Sequence, residues 1–271
     1  MKQIFNITDK EAGSSTNLCL LIVVGNRHCC LATINFDTKV ILSLCHYEAD
    51  VDEENLLDSL LSFHAELKNS YAQIIFTFDV CEHILIPSSH FNKEETERQL
   101  QFLFGSKESG VLECDYLSKQ NLYNAFGVQL ITKNWLKQNF PAAKIQHFAT
   151  QQITYNDNNI ANSVLVDFRS SEFFVIVYKE HQLQLVQYFN YVTSEDILYF
   201  LLKIYVEFSL SKEAVGLRLS GLIEKDSTIY KELYKYFATV DFESIPSGIK
   251  LSASFDDFPS HYFSNICKLL Q

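Results

Sequence analysis

Residues 162–190 read N-S-V-L-V-D-F-R-S-S-E-F-F-V-I-V-Y-K-E-H-Q-L-Q-L-V-Q-Y-F-N, three apolar runs separated by two short polar segments. Short polar segments between runs rich in β-branched and aromatic residues are typical of β-hairpins. We therefore predict an antiparallel three-stranded meander, with Asp167 where the first strand enters the first turn. A helical pattern (residues 194–208) and a further strand (residues 215–219) follow.

The same order of elements occurs once earlier in the chain. Three apolar runs (residues 18–24, 28–36 and 39–45) precede a helical pattern and a strand at residues 72–78. A repeated β-β-β-α-β unit predicts an α/β fold with two similar lobes, each a mixed β-sheet flanked by helices. We place the first lobe at residues 1–155 and the second at 156–271. A chance similarity between two generic α/β patterns is the alternative.

One segment departs from the repeat. We predict that residues from about 84 to 143 form a subdomain inserted in the first lobe. Asp52-Glu53-Glu54 predicts the start of the first helix, because acidic residues favour the positive end of a helix dipole. Residues 260–270 predict an amphipathic helix at the end of the chain. Trp135 is expected in the core, although Trp is also favoured at binding hot spots.

Composition excludes several classes of protein. The net charge of −11 argues against nucleic-acid binding, which requires clustered Lys and Arg. The longest apolar run, residues 18–24, is far shorter than the ~20 residues of a transmembrane helix. The first ten residues lack the apolar core of a secretory signal, so we expect a cytoplasmic protein. The seven cysteines are expected to be free thiols, mostly buried in strands.

Two Cys-His neighbours raise the question of a zinc site. Cys81-Glu82-His83 and Cys45-His46 are not joined by a second pair at a recognised ligand spacing. Buried thiols and ordinary histidines are therefore the better interpretation. A catalytic Cys-His pair stays open, because such partners meet only in the folded chain.

Three stretches resemble a known family: V-L-V-D-F-R-S-S-E-F-F-V-I, T-S-E-D-I-L-Y-F-L-L and L-R-L-S-G. Over essentially its whole length, the chain resembles a bacterial family catalogued as domain of unknown function 3822. That family has been assigned the actin-like ATPase fold and has no established activity. The resemblance implies a duplicated, ribonuclease H-like architecture.

In catalytic members of this fold, each hairpin head reads roughly Asp-x-Gly. Glycine lets a phosphate approach backbone N–H groups, and the carboxylate holds Mg²⁺ through its waters. In this chain Val23 stands at the first Asp position and Arg169 at the second Gly position, so each lobe keeps half of the motif. The resemblance leaves Asp167 as the candidate Mg²⁺ ligand. The candidate nucleotide-binding residues are Gly25, Asn26, Asp167, Ser170, Ser220 and Gly221.

The degraded motifs disfavour ATP hydrolysis, which depends on charges positioned around Mg²⁺ and the γ-phosphate. Asp167 is then a turn residue that accepts N–H groups, and Arg169 a solvated turn charge tied to Glu172. The alternative for Arg169 is a pair with a phosphate or with an acidic group of a partner. We therefore predict a non-catalytic protein-interaction scaffold without a cofactor, with an unidentified protein partner. One alternative is a switch or weak ATPase that binds ATP and Mg²⁺. Another is a relative of pilus-assembly or cell-division actins, with residues 260–270 as a docking helix.

Overall fold

The computed structural model describes residues 2–9, 17–48, 56–105, 110–156 and 161–270. The strands in this part of the chain are β1 (Lys2–Thr8), β2 (Leu18–Gly25), β3 (His28–Asn35), β4 (Val40–Glu48), β5 (Gln73–Asp79), β6 (His83–Pro87), β7 (Gly110–Leu117), β8 (Leu122–Gln129), β9 (Lys144–His147), β10 (Ser163–Phe168), β11 (Glu172–Lys179), β12 (Gln182–Asn190), β13 (Leu217–Gly221), β14 (Val240–Phe242) and β15 (Lys250–Leu251). The α-helices are α1 (Leu56–Phe63), α2 (Lys93–Phe104), α3 (Leu130–Asn139), α4 (Phe148–Asn156), α5 (Ser194–Glu207), α6 (Thr228–Tyr236) and α7 (Ser264–Lys268).

The chain divides into two compact units. The first contains Met1–Gln151 and Ile249–Phe255, and the second contains Gln152–Gly248 and Asp256–Gln271. The return to the first unit is made by β15, which pairs in parallel with β4. The limits expected from sequence, 1–155 and 156–271, do not include this return. A two-residue strand is too short to show a hydrophobic period.

The strand order is the same in both units. The first unit has the order β1-β4-β3-β2-β5-β9, and the second has β12-β11-β10-β13-β14. When β1 and the short β15, which both pair with β4, are set aside, the remaining five strands correspond one to one with those of the second unit. In each unit the first two pairings are antiparallel and the last two are parallel. The predicted α/β fold with two mixed sheets flanked by helices is confirmed.

One face of each sheet packs against helices and forms an apolar core. In the second unit Val164, Val166 and Phe168 of β10 alternate with residues of the other face, as the two-residue period of a strand requires. They pack with Ile197 and Leu201 of α5. The first unit has the same arrangement, with a core from β2, β5, α1 and α3. The opposite faces carry the polar residues considered below.

A separate three-stranded antiparallel sheet has the order β6-β8-β7 and lies between β5 and α3 in the chain. Helix α2 packs on it through Leu100. In the second unit residues 222–227 join β13 directly to α6 without such a sheet. Helix α3, which precedes β9, therefore corresponds to α6, which precedes β14. The insert expected from sequence, about 84–143, extends over α3 as well.

The end of the chain differs from the sequence prediction. Residues 260–270 were expected to form one amphipathic helix, and this is wrong. A 3₁₀ turn, Ser260–Tyr262, precedes the short α7, and Asn265, Cys267 and Lys268 are all buried. Polar and apolar side chains of this segment are both buried. Tertiary contacts therefore determine its backbone conformation, and the amphipathic pattern does not.

Two further differences concern helices. Sequence reasoning did not predict α4, whose residues F-A-T-Q-Q-I-T-Y-N show little amphipathic pattern. The expected helix start at Asp52-Glu53-Glu54 falls outside the described residues. Among the helices that the structure describes, none has both the length and the apolar character required to cross a membrane.

Candidate functional site

The strand register of the second unit brings three predicted site residues together. The parallel pairing of β10 and β13 sets Asp167 beside Ser220 and Phe168 beside Gly221. The Ser220 hydroxyl donates to Asp167 Oδ1 over 3.0 Å. Gly221 has φ 77°, and a Cβ there would lie 2.2 Å from the Phe168 carbonyl oxygen. Gly221 therefore satisfies both a left-handed backbone and a close approach of two strands.

The second oxygen of Asp167 faces a cation of the protein itself. Arg169 Nε lies 3.7 Å from Asp167 Oδ2, and the Arg169 guanidinium bonds Glu172 over 2.7 Å. The expected contact with Glu172 is present, but the expectation of a solvated charge is wrong, because the Arg169 side chain is only 13% exposed. The guanidinium also lies 5.2 Å from the centre of the Tyr188 ring. A Mg²⁺ ion on Asp167 would sit close to this fixed positive charge, which like-charge repulsion disfavours.

Ser170, the remaining predicted residue of this unit, is exposed in the turn between β10 and β11. Gly25 and Asn26 belong to the first unit. The structure thus brings Asp167, Ser220 and Gly221 into direct contact, and Ser170 lies at the exposed side of the same hairpin.

The C-terminal segment covers the Asp167–Ser220 pair, which sequence reasoning missed. Asn265 Nδ2 donates to Ser220 Oγ over 2.8 Å, and Gln152 Nε2 donates to the Asn265 carbonyl over 3.0 Å. Asn265 and Gln152 are both buried. The polar end of β13 is therefore bound by a side chain of α7, and Gln152 of α4 in turn holds the backbone of that helix. No sequence signal links these positions, because the contacts span more than forty residues.

A buried ion pair lies next to this covered pair. The Glu243 N–H donates to the Leu219 carbonyl over 2.8 Å, which places Glu243 beside the end of β13. Lys268 Nζ donates to Glu243 Oε2, and both side chains are only 3% exposed. Burial lowers the pKa of Lys268, and the Glu243 carboxylate acts in the opposite direction. Arg218 lies 3.2 Å from the other Glu243 oxygen. The charges on this face are thus paired within the protein.

In the first unit, Gly25 makes room for a histidine. A Cβ on Gly25 would lie 2.2 Å from Cε1 of His28. His28 Nε2 lies 3.0 Å from Asp79 Oδ2, and both side chains are buried. The His28 ring also stacks on His46, with 5.8 Å between centroids. The His28 ring therefore occupies the space that the missing Cβ leaves beside Gly25, the glycine to which the resemblance assigns phosphate contact.

Asn26 faces an acidic neighbour. Its Nδ2 donates to Cys81 Sγ over 3.3 Å and to Glu82 Oε2 over 3.2 Å. A carboxylate at this turn repels phosphate. Sequence reasoning missed the contacts of His28, Asp79 and Glu82. One signal was present for Asp79, because it is an acidic residue at the end of β5, as Asp167 is near the end of β10.

The groups at both strand ends therefore match a magnesium nucleotide poorly. In the second unit the available carboxylate is bound by a hydroxyl and faces Arg169. In the first unit the glycine packs on His28 and the turn carries Glu82. Phosphate cradles need open backbone N–H groups and a carboxylate free for the ion.

The Cys-His neighbours are held by other partners. Cys81 accepts from Asn26, His83 Nδ1 bonds Asn124 Oδ1 over 2.9 Å, and Cys45 Sγ donates to Asn6. All seven cysteines are free, as predicted. Burial raises the pKa of Cys267 to about 12, which disfavours the thiolate that binds metals. Within the described ranges, no group of three or more His, Cys, Asp or Glu side chains could hold a metal ion.

Trp135 belongs to the core of the first unit. It is 9% exposed and packs against Phe140, with 5.5 Å between ring centroids. The prediction of core packing is confirmed, and the side chain is not available as a surface anchor.

Comparisons with known proteins identify the chain's relatives. A family model described as protein of unknown function (DUF3822) matches residues 8–240. A Bacteroides thetaiotaomicron VPI-5482 protein with an actin-like ATPase fold and unknown function is similar, with a TM-score of 0.79 and 20% identity over 95% of this chain and 97% of that one. The PilM–PilN type IV pilus biogenesis complex gives a TM-score of 0.55 and 10% identity over 93% and 97%. No curated protein matches the sequence.

Proposed function

Because this chain belongs to the DUF3822 family of proteins of unknown function and has the actin-like ATPase fold, we propose that it is a non-catalytic member of that fold. In this proposal it acts in the cytoplasm as an interaction scaffold for a protein partner. The fold supplies a rigid support, and binding surfaces replace the nucleotide chemistry.

The observation that carries the proposal is the state of Asp167. Its carboxylate accepts from Ser220 and faces Arg169, and the Asn265 amide covers Ser220. A Mg²⁺ ion would have to displace these interactions and approach the Arg169 guanidinium. In the first unit, His28 and Glu82 add a steric and an electrostatic obstacle to phosphate.

Partner binding is supported by a structural neighbour. The PilM–PilN structure is a complex of a type IV pilus biogenesis system, so the same fold serves there in a protein assembly. A pilus-assembly or cell-division role is the second candidate for this chain. Residues 260–270 would not be its docking helix, because Asn265, Cys267 and Lys268 are buried. A partner would use another surface.

Thermal unfolding with nucleotide tests the proposal. A ligand that binds only the native state at 100 times its Kd stabilises it by about 2.7 kcal/mol and raises the Tm. We expect the Tm to stay unchanged with ATP and Mg²⁺ up to millimolar concentration. ADP with Mg²⁺ should give the same result.

Two variants make the test specific. Asp167→Ala removes the candidate Mg²⁺ ligand, and Asp241→Ala removes an exposed carboxylate of the same unit. A nucleotide-dependent rise in Tm that persists in Asp241→Ala and disappears in Asp167→Ala would reject a scaffold that binds no nucleotide and would favour the nucleotide switch.

A further inference from the structure

An apolar groove lies between the strand β6 and the C-terminal half of α2. We call it the β6–α2 groove. Its strand side consists of Ile84, Leu85 and Ile86, and its helix side includes Gln99, Phe102 and Leu103. Its volume is about 460 Å³, within the range of binding pockets.

The helix side of the groove exposes large apolar side chains. Phe102 is 89% exposed and Leu103 is 58% exposed, whereas Thr96 and Leu100 of the same helix are buried. Leu100 packs on the three-stranded sheet, whereas Phe102 and Leu103 leave most of their surface exposed to solvent. Clustered exposed side chains of this kind mark interaction surfaces more often than isolated ones do.

The strand side of the groove is a sheet edge. In the order β6-β8-β7, β6 is an edge strand, and among the residues that the structure describes it pairs with β8 alone. The Gly127 N–H donates to the Glu82 carbonyl and the Ser88 N–H to the Asn121 carbonyl. Because antiparallel pairing alternates, Leu85 then directs its N–H and C=O away from β8. The edge therefore offers backbone groups to an added strand.

We propose that the β6–α2 groove binds an extended segment of a partner protein, which adds as a fourth strand beside β6. Alternate apolar side chains of the segment fill the space between β6 and α2, and backbone pairing selects an extended conformation over a helix. Arg98 lines the groove and forms an exposed, 3.8 Å ion pair with Glu94, a kind of pair that is weak and can exchange partners, so the segment carries an acidic residue at that end. This inference rests on the proposed scaffold function and gives it a site and a partner class.

The backbone of β6 disfavours a second copy of the chain as the occupant. Of its outward-facing residues, Pro87 has no N–H, and the His83 N–H already donates to the Cys81 carbonyl. Leu85 therefore supplies the outward donor, and the Leu85 and Pro87 carbonyls need donors from the other strand. Two β6 edges placed together would be rich in acceptors and poor in donors. A separate segment without proline supplies those donors.

A displayed library of random decapeptides, selected on the full-length protein, tests this inference. We expect enriched peptides with alternating apolar residues and an acidic residue. A synthetic copy of the most enriched peptide should slow hydrogen exchange of the Leu85 amide, which faces outward in the free protein. Methylation of alternate peptide nitrogens should weaken binding by at least about tenfold, because it removes the ladder donors.

A matched pair of variants locates the site. Phe102→Ser should weaken binding of the synthetic peptide by at least about tenfold, as expected for an aromatic anchor. Phe63→Ser changes the same residue type at a 72% exposed position of α1 and should leave the affinity unchanged. Both positions are exposed, so both variants should retain the wild-type Tm.

Three results would overturn the proposal. The first is the absence of an enriched peptide, and the second is equal binding to Phe102→Ser without protection of Leu85. The third is a wild-type dimer in sedimentation that Phe102→Ser converts to a monomer, since the groove would then hold a second copy. A nucleotide-dependent Tm rise with intact peptide binding would reject only the proposal that the scaffold binds no nucleotide, so the two failures are distinguishable.

Discussion

The two five-stranded cores place different side chains at equivalent positions. In the first unit Val23 lies beside Thr77, where the second unit has Asp167 beside Ser220. Each hydroxyl is bound by a side-chain amide: Gln146 Nε2 lies 3.1 Å from Thr77 Oγ1, and Asn265 Nδ2 lies 2.8 Å from Ser220 Oγ. The amide comes from β9 in the first unit and from α7 in the second. The two units therefore share a strand order but differ in the polar side chains that they carry at equivalent positions.

The retained glycines show the same contrast. At Gly25 an added Cβ would meet the ring of His28, whereas at Gly221 it would meet the backbone oxygen of Phe168. In both units the glycine that resembles part of a phosphate motif serves internal packing.

The largest expected effect concerns the buried charges of the second unit. Lys268→Met leaves Glu243 buried with only the half-exposed Arg218 beside it, and we expect a loss of about 3–5 kcal/mol in the free energy of unfolding. Urea denaturation measures this loss. The double variant Glu243→Leu/Lys268→Met should recover most of it, because the uncompensated charge is then removed.

Lys235→Met serves as the control for this prediction. Lys235 pairs with Glu232 at the surface, over 2.5 Å and with 61% of its side chain exposed, so its removal should leave stability nearly unchanged. Equal losses in Lys268→Met and Lys235→Met would show that the buried pair has no special role in the second unit.

A smaller effect separates the two glycines. Gly221→Ala should cost at least about 2 kcal/mol, because the residue has a left-handed backbone and faces a backbone atom. Gly25→Ala should cost about 1–3 kcal/mol through overlap with His28. Because that overlap involves a side chain, Gly25→Ala/His28→Ala should cost less than the sum of the single variants.

Unfolding free energies of the four variants test this contrast. Strict additivity of Gly25→Ala and His28→Ala would contradict the packing of His28 on Gly25. A stable Gly221→Ala variant would contradict the close approach of β10 and β13.

The smallest effect is a pH dependence shared by both units. Burial lowers the pKa of His83 in the first unit and of His261 in the second, below the ordinary value of 6.5. The unfolded chain then binds more protons than the native protein as the pH falls below about 6.5, so stability decreases with acidification. Each histidine contributes a slope of up to about 1.4 kcal/mol per pH unit.

His83→Asn keeps a donor for Asn124 Oδ1 and removes the titrating ring. We expect a shallower loss of stability between pH 7.5 and 5.5 in this variant, measured by urea unfolding at each pH. An unchanged dependence of stability on pH would indicate that burial does not lower the pKa of His83 in the native protein.

The sequence alone determined the repeated strand meander, the helix α5 and the contact of Arg169 with Glu172. These follow from periodicity and from neighbours a few residues apart, which a linear reading captures. Through the family resemblance it also named Asp167, Ser220 and Gly221 among six candidate residues. The sequence did not reveal α4, whose pattern is weak, or the broken end of the chain.

Only the tertiary structure decided what the site residues contact. Asn265 reaches Ser220 and Lys268 reaches Glu243 across long stretches of chain, and His28 meets Asp79 because β2 pairs with β5. The same applies to the β6–α2 groove, where a strand edge with no second partner in the described part of the chain lies beside two exposed apolar side chains. Local pattern specifies the elements, because backbone preferences and hydrophobic period act over a few residues. Pairing of buried charges and polar groups depends on which elements pack together, and that is settled only when the chain folds.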